Sequence, residues 1–306
     1  MQTRFCARGR RLRVAALATG LMTTGTAHAA STPPVQDSSA VTISGAGDLH
    51  KVRYGHRISL SGRAGSAPEV RLEHAAAGRG WRVVATSRTG AAGSYSFSVR
   101  ARQSGAYRAV AAGTPSAAHR VRVVARLSAR ASRHVNIGRS IRVRGTLKHG
   151  LGGRTVRLQL RSRGGWKTVD RARTRRGGRF RASWRPPRAG SYRLRVRFAG
   201  DRSNLAAGRT LRGLSFVYRP AAASWYGPGF YGGRTACGYT LTASIKGVAN
   251  KWLPCGTRVR FRYHGRTTVA KVIDRGPFAG AREWDLTPAT KRALGFGSTG
   301  TVWSTR

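Results

Sequence analysis

Two stretches of this chain are written in one pattern, and that duplication restricts the fold more than any other feature. The first copy runs "VRYGHRISLSGRAG", then "GWRVVATSRTGAAGSYSFSV", then "SGAYRAVAAG". The second runs "VNIGRSIRVRGTLK", then "GWKTVDRARTRRGGRFRASW", then "AGSYRLRVRFAG". Gly55 aligns with Gly138, Gly62 with Gly145, Trp81 with Trp166 and Tyr107 with Tyr192, at an offset of about 84 residues with a two-residue slip before the tryptophan. Within the copies, Ile58/Leu60, Val70/Leu72 and Tyr95/Phe97/Val99 alternate with polar neighbours. Ile141/Val143, Val156/Leu158/Leu160 and Leu194/Val196/Phe198 do the same. That is the period of half-buried strands. Glycine-rich turns fall between the runs at the spacing of a β-sandwich.

The copies resemble bacterial immunoglobulin-like modules, a resemblance of pattern alone. It implies immunoglobulin-like β-sandwiches over residues 41–125 and 126–217. Trp81 and Trp166 read either as carbohydrate platforms or as core or edge packing, and their equivalent places in β-runs favour packing. The second copy is especially basic. In "RARTRRGGRFR" and "RLRVRFAGDR" arginine takes alternate, outward positions, and such a face repels itself unless an anion neutralises it. A merely solvated face is the alternative.

The N-terminus reads as an export signal. Arg4, Arg8, Arg10, Arg11 and Arg13 precede a short apolar run from Val14 to Met22, and Ala27-His28-Ala29 supplies a small-x-small cleavage site. We expect a signal peptide over 1–29 and a flexible leader over 30–40; a basic disordered tail is the other reading. Cys6 precedes the apolar run, where no lipid anchor is expected, and no later run reaches the ~20 apolar residues of a membrane span. The expectation is a secreted or cell-wall-associated protein.

The charge agrees with a polyanionic setting. The chain has 58 Lys and Arg against nine Asp and Glu, a net charge of +49. Nucleic acid is the usual partner of such a chain, but an exported protein meets anionic wall polymers and phospholipid headgroups first. We expect anionic wall polymers at the basic sandwich modules, no specific nucleic acid, and a monomer. After signal cleavage only Cys237 and Cys255 remain, which in an oxidising compartment suggests one disulfide. Two cysteines without neighbouring histidines do not make a zinc site, and no metal or cofactor is expected.

From "FVYRPAAASWYGPGFYGG" onward the chain turns rich in Gly, Pro and aromatics, opening a last unit over 218–306. Strands are predicted near 222–225, 252–253, 258–263, 267–272, 284–286 and 301–304, with a hairpin turn at His264-Gly265. "LTPATKRALGFG" predicts a short helix capped by Thr287, started by Pro288 and ended by Gly295. The last three acids of the chain, Asp274, Glu283 and Asp285, all fall in this unit. Both aspartates come out at strand ends, where side chains can converge on a cleft. Asp274 could equally accept turn amides or pair with Arg275, Asp285 could orient the helix, and Glu283 is expected to pair with Arg282.

"ASWYGPGFYGGRTACG", "LPCGTRVRF", "VIDRGPFAG" and "WDLTPATKRALGFGSTGTV", in this order, resemble the double-psi β-barrel domain of the rare lipoprotein A family, related to lytic transglycosylases and expansins. The resemblance covers about 222–304 and implies a six-stranded closed barrel with a polysaccharide groove, so the whole chain is expected to be all-β with one short helix. It implies peptidoglycan glycan strands as substrate and a lytic transglycosylase mechanism, in which the muramyl 6-hydroxyl attacks internally and leaves a 1,6-anhydro end. By position, Asp285 matches the family's catalytic acid and Asp274 a second active-site acid. A partly buried carboxyl with raised proton affinity suits that task.

This sequence departs from the family at two places. Asn250 stands where histidine is common, and Tyr239 where Glu or Gln is common. Asn can still hydrogen-bond a sugar and Tyr can stack on one, so Tyr239, Asn250 and Arg275 join Trp225 and Tyr226 as candidate substrate contacts. Phe230 and Tyr231 read equally as groove or as barrel end. A non-catalytic, expansin-like binder is the alternative function.

Overall fold

Each copy of the repeat folds as two facing β-sheets in the computed structural model, which describes residues 41–45 and 51–306. The expected signal peptide, with Cys6, and the leader over 30–40 lie outside the described residues. In the first copy Arg57–Arg63 pairs with Ser44–Gly45 and Ser94–Arg100. Facing it, Glu69–Ala76 lies between Arg82–Arg88 and Gly105–Ala111. Alternate side chains of an extended strand point to opposite faces, so Ile58, Leu60, Val70, Leu72, Tyr95 and Phe97 all meet in the space between the sheets. In the second copy Ile141–Lys148 lies between Arg126–Ala131 and Arg179–Trp184. Thr155–Ser162 lies between Gly165–Arg173 and Leu194–Gly200, and Ile141, Val143, Val156, Leu158 and Val196 fill the core.

The duplication reaches into the irregularities. Both copies carry a register shift at the same place, between Leu72 and Glu73 and between Leu158 and Gln159. Beyond it, Trp81 and Trp166 lie half-buried, each under a guanidinium: Arg108 stands 4.2 Å from the Trp81 ring and Arg195 4.3 Å from that of Trp166. Arg108 Nε donates to Glu73 Oε2 and Arg195 Nε to Gln159 Oε1, both at 2.8 Å. The tryptophans therefore pack at the sheet surface against cations, outside both cores. One alignment needs correction. Tyr107 sits opposite His74 while Leu194 sits opposite Leu160, so the spatial counterpart of Tyr107 is Leu194, and Tyr192 lies in a separate short strand, Gly190–Tyr192. Which face is buried, more than the shared "YR", sets the register.

No loop separates the second sandwich from the C-terminal barrel. Strand Ser215–Trp225 begins beside His134–Asn136 and Gly190–Tyr192, crosses position 217/218 unbroken, and becomes a wall of the barrel. The ring runs Ser215–Trp225, Trp284–Leu286, Gly247–Ala249, Arg266–Asp274, Arg258–Tyr263, Gly300–Ser304, and closes on the first strand. Val248, Phe261, Val272, Trp284, Leu286 and Val302 fill it. The predicted hairpin forms with His264 at φ 43° and Gly265 at φ 82°, both positive as a type I′ turn requires.

Three local expectations change. Residues 252–253 form no strand, because Asn250 Oδ1 accepts the N–H groups of both Trp252 (3.1 Å) and Leu253 (2.8 Å). A side chain that captures these donors holds a turn and removes them from any ladder. The strand Gly247–Ala249 was not predicted. Helix Pro288–Leu294 ends at Gly295, φ 64°, as expected, but the Thr287 side chain does not cap it. Its hydroxyl donates to the Ile245 carbonyl at 2.6 Å and accepts from Gly247 N–H at 3.1 Å. Among the described residues no helix is long and apolar enough to cross a membrane.

Candidate active site

The short strand Gly247–Ala249 is the element that brings the two aspartates together. Ala249 lies opposite Asp285 on one side and opposite Asp274 on the other, and Ser224 lies opposite Asp285 from the long strand. Ser224, Asp285, Ala249 and Asp274 thus form one row across four strands. Two ladder spacings put the aspartate backbones roughly 10 Å apart, and the alanine between them is too small to screen one carboxylate from the other. Both line a single cleft of about 600 Å³, whose walls include Tyr226, Phe230, Tyr231, Thr235 and Phe278.

The two acids are held differently. Asp274 Oδ1 accepts the backbone N–H of Ala236 at 2.9 Å and of Arg275 at 2.8 Å, which fixes it as the hinge of the "DRGP" turn. Asp285 Oδ1 accepts the Ser224 hydroxyl at 2.6 Å. Burial raises the pKa of Asp285 above the ordinary carboxylate value; the charge of Asp274 adds to the rise, while the Ser224 bond and Arg282 oppose it. Tyr226 sits over both. Its buried hydroxyl makes no well-formed hydrogen bond, and burial first, then the nearby negative charge of Asp274 and Asp285, hold it well above the phenol range. A neutral donor therefore faces the carboxylates.

The other candidates separate. Arg275 lines the cleft with its guanidinium tied down, donating to the carbonyls of Asn250 at 3.1 Å and Leu253 at 2.9 Å. Asn250 is 2% exposed; its Oδ1 holds the 252–253 turn and its Nδ2 donates to the Glu283 carbonyl at 3.2 Å, so it stands behind the cleft wall as scaffold. Tyr239 is half-buried in the turn closed by Thr235 N–H to its carbonyl at 2.8 Å, off the cleft. Trp225 packs on the barrel core with Lys291 Nζ 3.6 Å above its ring, also away from the aspartates. Glu283 pairs with Arg219, not with Arg282, because its strand register places it next to the long strand, where its N–H meets the Ala222 carbonyl. Cys237 and Cys255 are bridged.

Sequence reasoning passed over Phe278, which is 79% exposed on the cleft, and Trp252, 85% exposed on the loop after Gly247–Ala249. An aromatic immediately after a Gly-Pro turn was the available signal, since such a turn cannot bury the next side chain in a ladder. Arg234 and Thr235 also face the cleft, and only their place in the "GGRTACG" run pointed to them. Among the described residues no three His, Cys, Asp or Glu side chains gather as metal ligands would. The second sandwich carries a larger hollow, about 770 Å³, but no carboxylate lines it, whereas the barrel cleft holds two.

Residues 220–303 match a protein family described as lytic transglycolase. Over 80 residues the chain is 45% identical to the probable endolytic peptidoglycan transglycosylase RlpA of Synechocystis sp., covering 26% of this chain and 25% of that one. The endolytic peptidoglycan transglycosylase RlpA of Pseudomonas aeruginosa is 41% identical over 82 residues, 26% of this chain and 24% of that one. Its namesake in Neisseria meningitidis is 38% identical over 82 residues, 26% and 34% of the two chains. The chain thus spans only a quarter to a third of the length of these curated relatives, and all of the likeness falls on the barrel.

Proposed function

We propose that the barrel is a lytic transglycosylase acting on the glycan strands of peptidoglycan, in a protein exported to the cell envelope. The observation that carries this is the pair of aspartates sharing one open cleft, one of them with raised proton affinity. Asp285 delivers a proton to the glycosidic oxygen as the bond breaks, then takes one from the muramyl 6-hydroxyl as that oxygen attacks the anomeric carbon. A single carboxyl can serve both steps, because the proton it gives and the proton it receives belong to one cycle. Asp274 keeps negative charge near the developing oxocarbenium ion and sustains the proton affinity of Asp285. The aromatic rings of Phe230, Tyr231 and Phe278 offer flat apolar faces for sugar rings along the cleft. The basic sandwiches hold the protein on anionic polymers of the wall.

Purified peptidoglycan incubated with the wild-type chain should yield 1,6-anhydromuramyl ends by mass spectrometry, and Asp285→Asn should yield ~10²–10⁴-fold fewer. Hydrated reducing ends, or intact sacculi, would refute the mechanism. Binding without cleavage is the second reading. It is favoured by Asn250, which fills a histidine position of the family with a buried amide that performs no proton transfer. It predicts retention on sacculi that survives Asp285→Asn unchanged.

A further inference from the structure

The outer face of the three-stranded sheet in the second sandwich holds a hollow of about 770 Å³ whose lining includes Arg130, Arg144, Arg175, Arg176, Arg179 and Arg181. Arg130 stands directly opposite Arg144, and Arg144 opposite Arg181. Three like charges therefore share one cross-strand row at a pitch of ~5 Å, an arrangement that costs the sheet stability. Among the described residues, the ion pairs are Arg108–Glu73, Arg154–Asp201 and Arg219–Glu283, so none of the six guanidiniums is neutralised. All six are exposed.

The first sandwich shows that the fold does not require them. Its equivalent row is Ser44, Ser61 and Ser96, in the same register. Arg179 corresponds to Ser94, and Arg175 and Arg176, at the start of the one-turn helix, correspond to Gly90 and Ala91. One chain has built the same sheet twice, once with small neutral residues and once with a self-repelling cluster. The excess of arginine over the whole chain cannot explain a difference between two copies within it.

We propose that this face is a binding site for a linear polyanion whose charges are phosphodiesters in the polymer backbone. Each guanidinium presents a planar fork of donors that matches two oxygens of one phosphate. The surface extends beyond a single anion: past Arg142 it reaches a second hollow lined by Arg139, Arg185 and the barrel residue Arg262, a continuous basic track suited to a chain. Bases are not part of what it reads. Single-stranded nucleic acids are held by exposed aromatic faces, and the one aromatic residue of the first hollow, Phe180, is 2% exposed. The proposal narrows the proposed retention on anionic wall polymers to one chemistry and one face. It stands apart from the chemistry of the barrel, since its readout is binding.

The test uses the full chain and fluorescently labelled poly(glycerol phosphate), titrated by anisotropy over a series of salt concentrations. The variant R130S/R144S/R181S transplants the first sandwich's own residues. The control R71S/R82S/R88S removes the same charge from exposed positions of the first sandwich. Circular dichroism checks the fold of each. The first variant should bind at least ~10-fold more weakly near physiological salt, with a log–log salt slope shallower by about 2, as expected for three lost phosphate contacts. The control should change affinity less than ~3-fold. If the triple variant unfolds, Arg144→Ser alone should flatten the slope by ~0.7. Equal weakening by both triple variants would reduce the site to bulk charge and overturn the proposal. Equal or tighter binding of oligo(dT) or polygalacturonate of matched charge would overturn the assignment to a base-free phosphodiester.

Discussion

Asp285 sits where opposed influences meet: burial and Asp274 raise its proton affinity, while Ser224 and Arg282 lower it. Burial is the largest of these, so the folded protein favours the protonated form. The stability this side chain contributes is then complete below the ordinary carboxylate pKa and is lost as pH rises through the raised one. Asp285→Asn removes that loss. The variant should melt above the wild type near neutral pH, and the gap should close as pH falls toward about 4; a gap that does not move with pH would show that the carboxyl is not perturbed. Much of this residue-level picture was legible in the sequence. "VIDRGP" and "WDL" pointed to both acids and to Arg275, and "ASWYGPGF" pointed to Tyr226. Trp225 and Tyr239 were not separable from the cleft residues by sequence, because a strand or turn sends neighbouring side chains to opposite sides and the motif does not say which side is the cleft.

At the scale of elements, the barrel's long strands and its hairpin follow from alternation and from His264-Gly265, while the elements that organise the site are short and set by single side chains. Gly247–Ala249 has three residues, too few for any period to show, and it exists because its neighbours pair with it. An added Cβ at Gly247 would lie 2.3 Å from Ile273 Cδ1 and 2.4 Å from its Cγ1, so a larger residue there must displace a fully buried side chain. Asn250, directly after this strand, closes the 252–253 turn and leads the chain into Cys255, whose bridge to Cys237 spans 18 residues and contributes ~3 kcal/mol on the chain-entropy argument. Asn250→Ala leaves two amides without their acceptor and should cost ~1–3 kcal/mol in urea unfolding, whereas Asn250→Ser keeps a side-chain oxygen that can close the same turn and should cost less. Equal losses in the two variants would mean that the turn does not depend on that oxygen.

The whole molecule is joined through shared strands and one buried polar knot, and neither is visible when each module is assigned its own boundaries from sequence. Val123–Val124 pairs with Val52–Arg53 in its own sandwich and also with Leu205 of the next, and Ser215–Trp225 does likewise between second sandwich and barrel. Asn204, fully buried, donates to the Arg102 carbonyl of the first sandwich at 3.0 Å and accepts from Arg154 at 3.1 Å. Arg154 in turn pairs with Asp201 at 2.8 Å. Contacts accordingly run through one unit over the described residues, 41–45 and 51–306. Calorimetry of the wild type should show one transition whose van't Hoff and calorimetric enthalpies agree. Asn204→Ala strands the part-buried Arg102 carbonyl and part of the buried Arg154 guanidinium, a cost of ~1–3 kcal/mol concentrated at one joint, and should split off an earlier transition belonging to the first sandwich. Two transitions in the wild type, or an undivided downward shift in the variant, would place the coupling elsewhere. The single wild-type transition bears on function, because the second sandwich and the barrel share the strand Ser215–Trp225, and a polymer held on the arginine track would meet the cleft at a distance set by that strand.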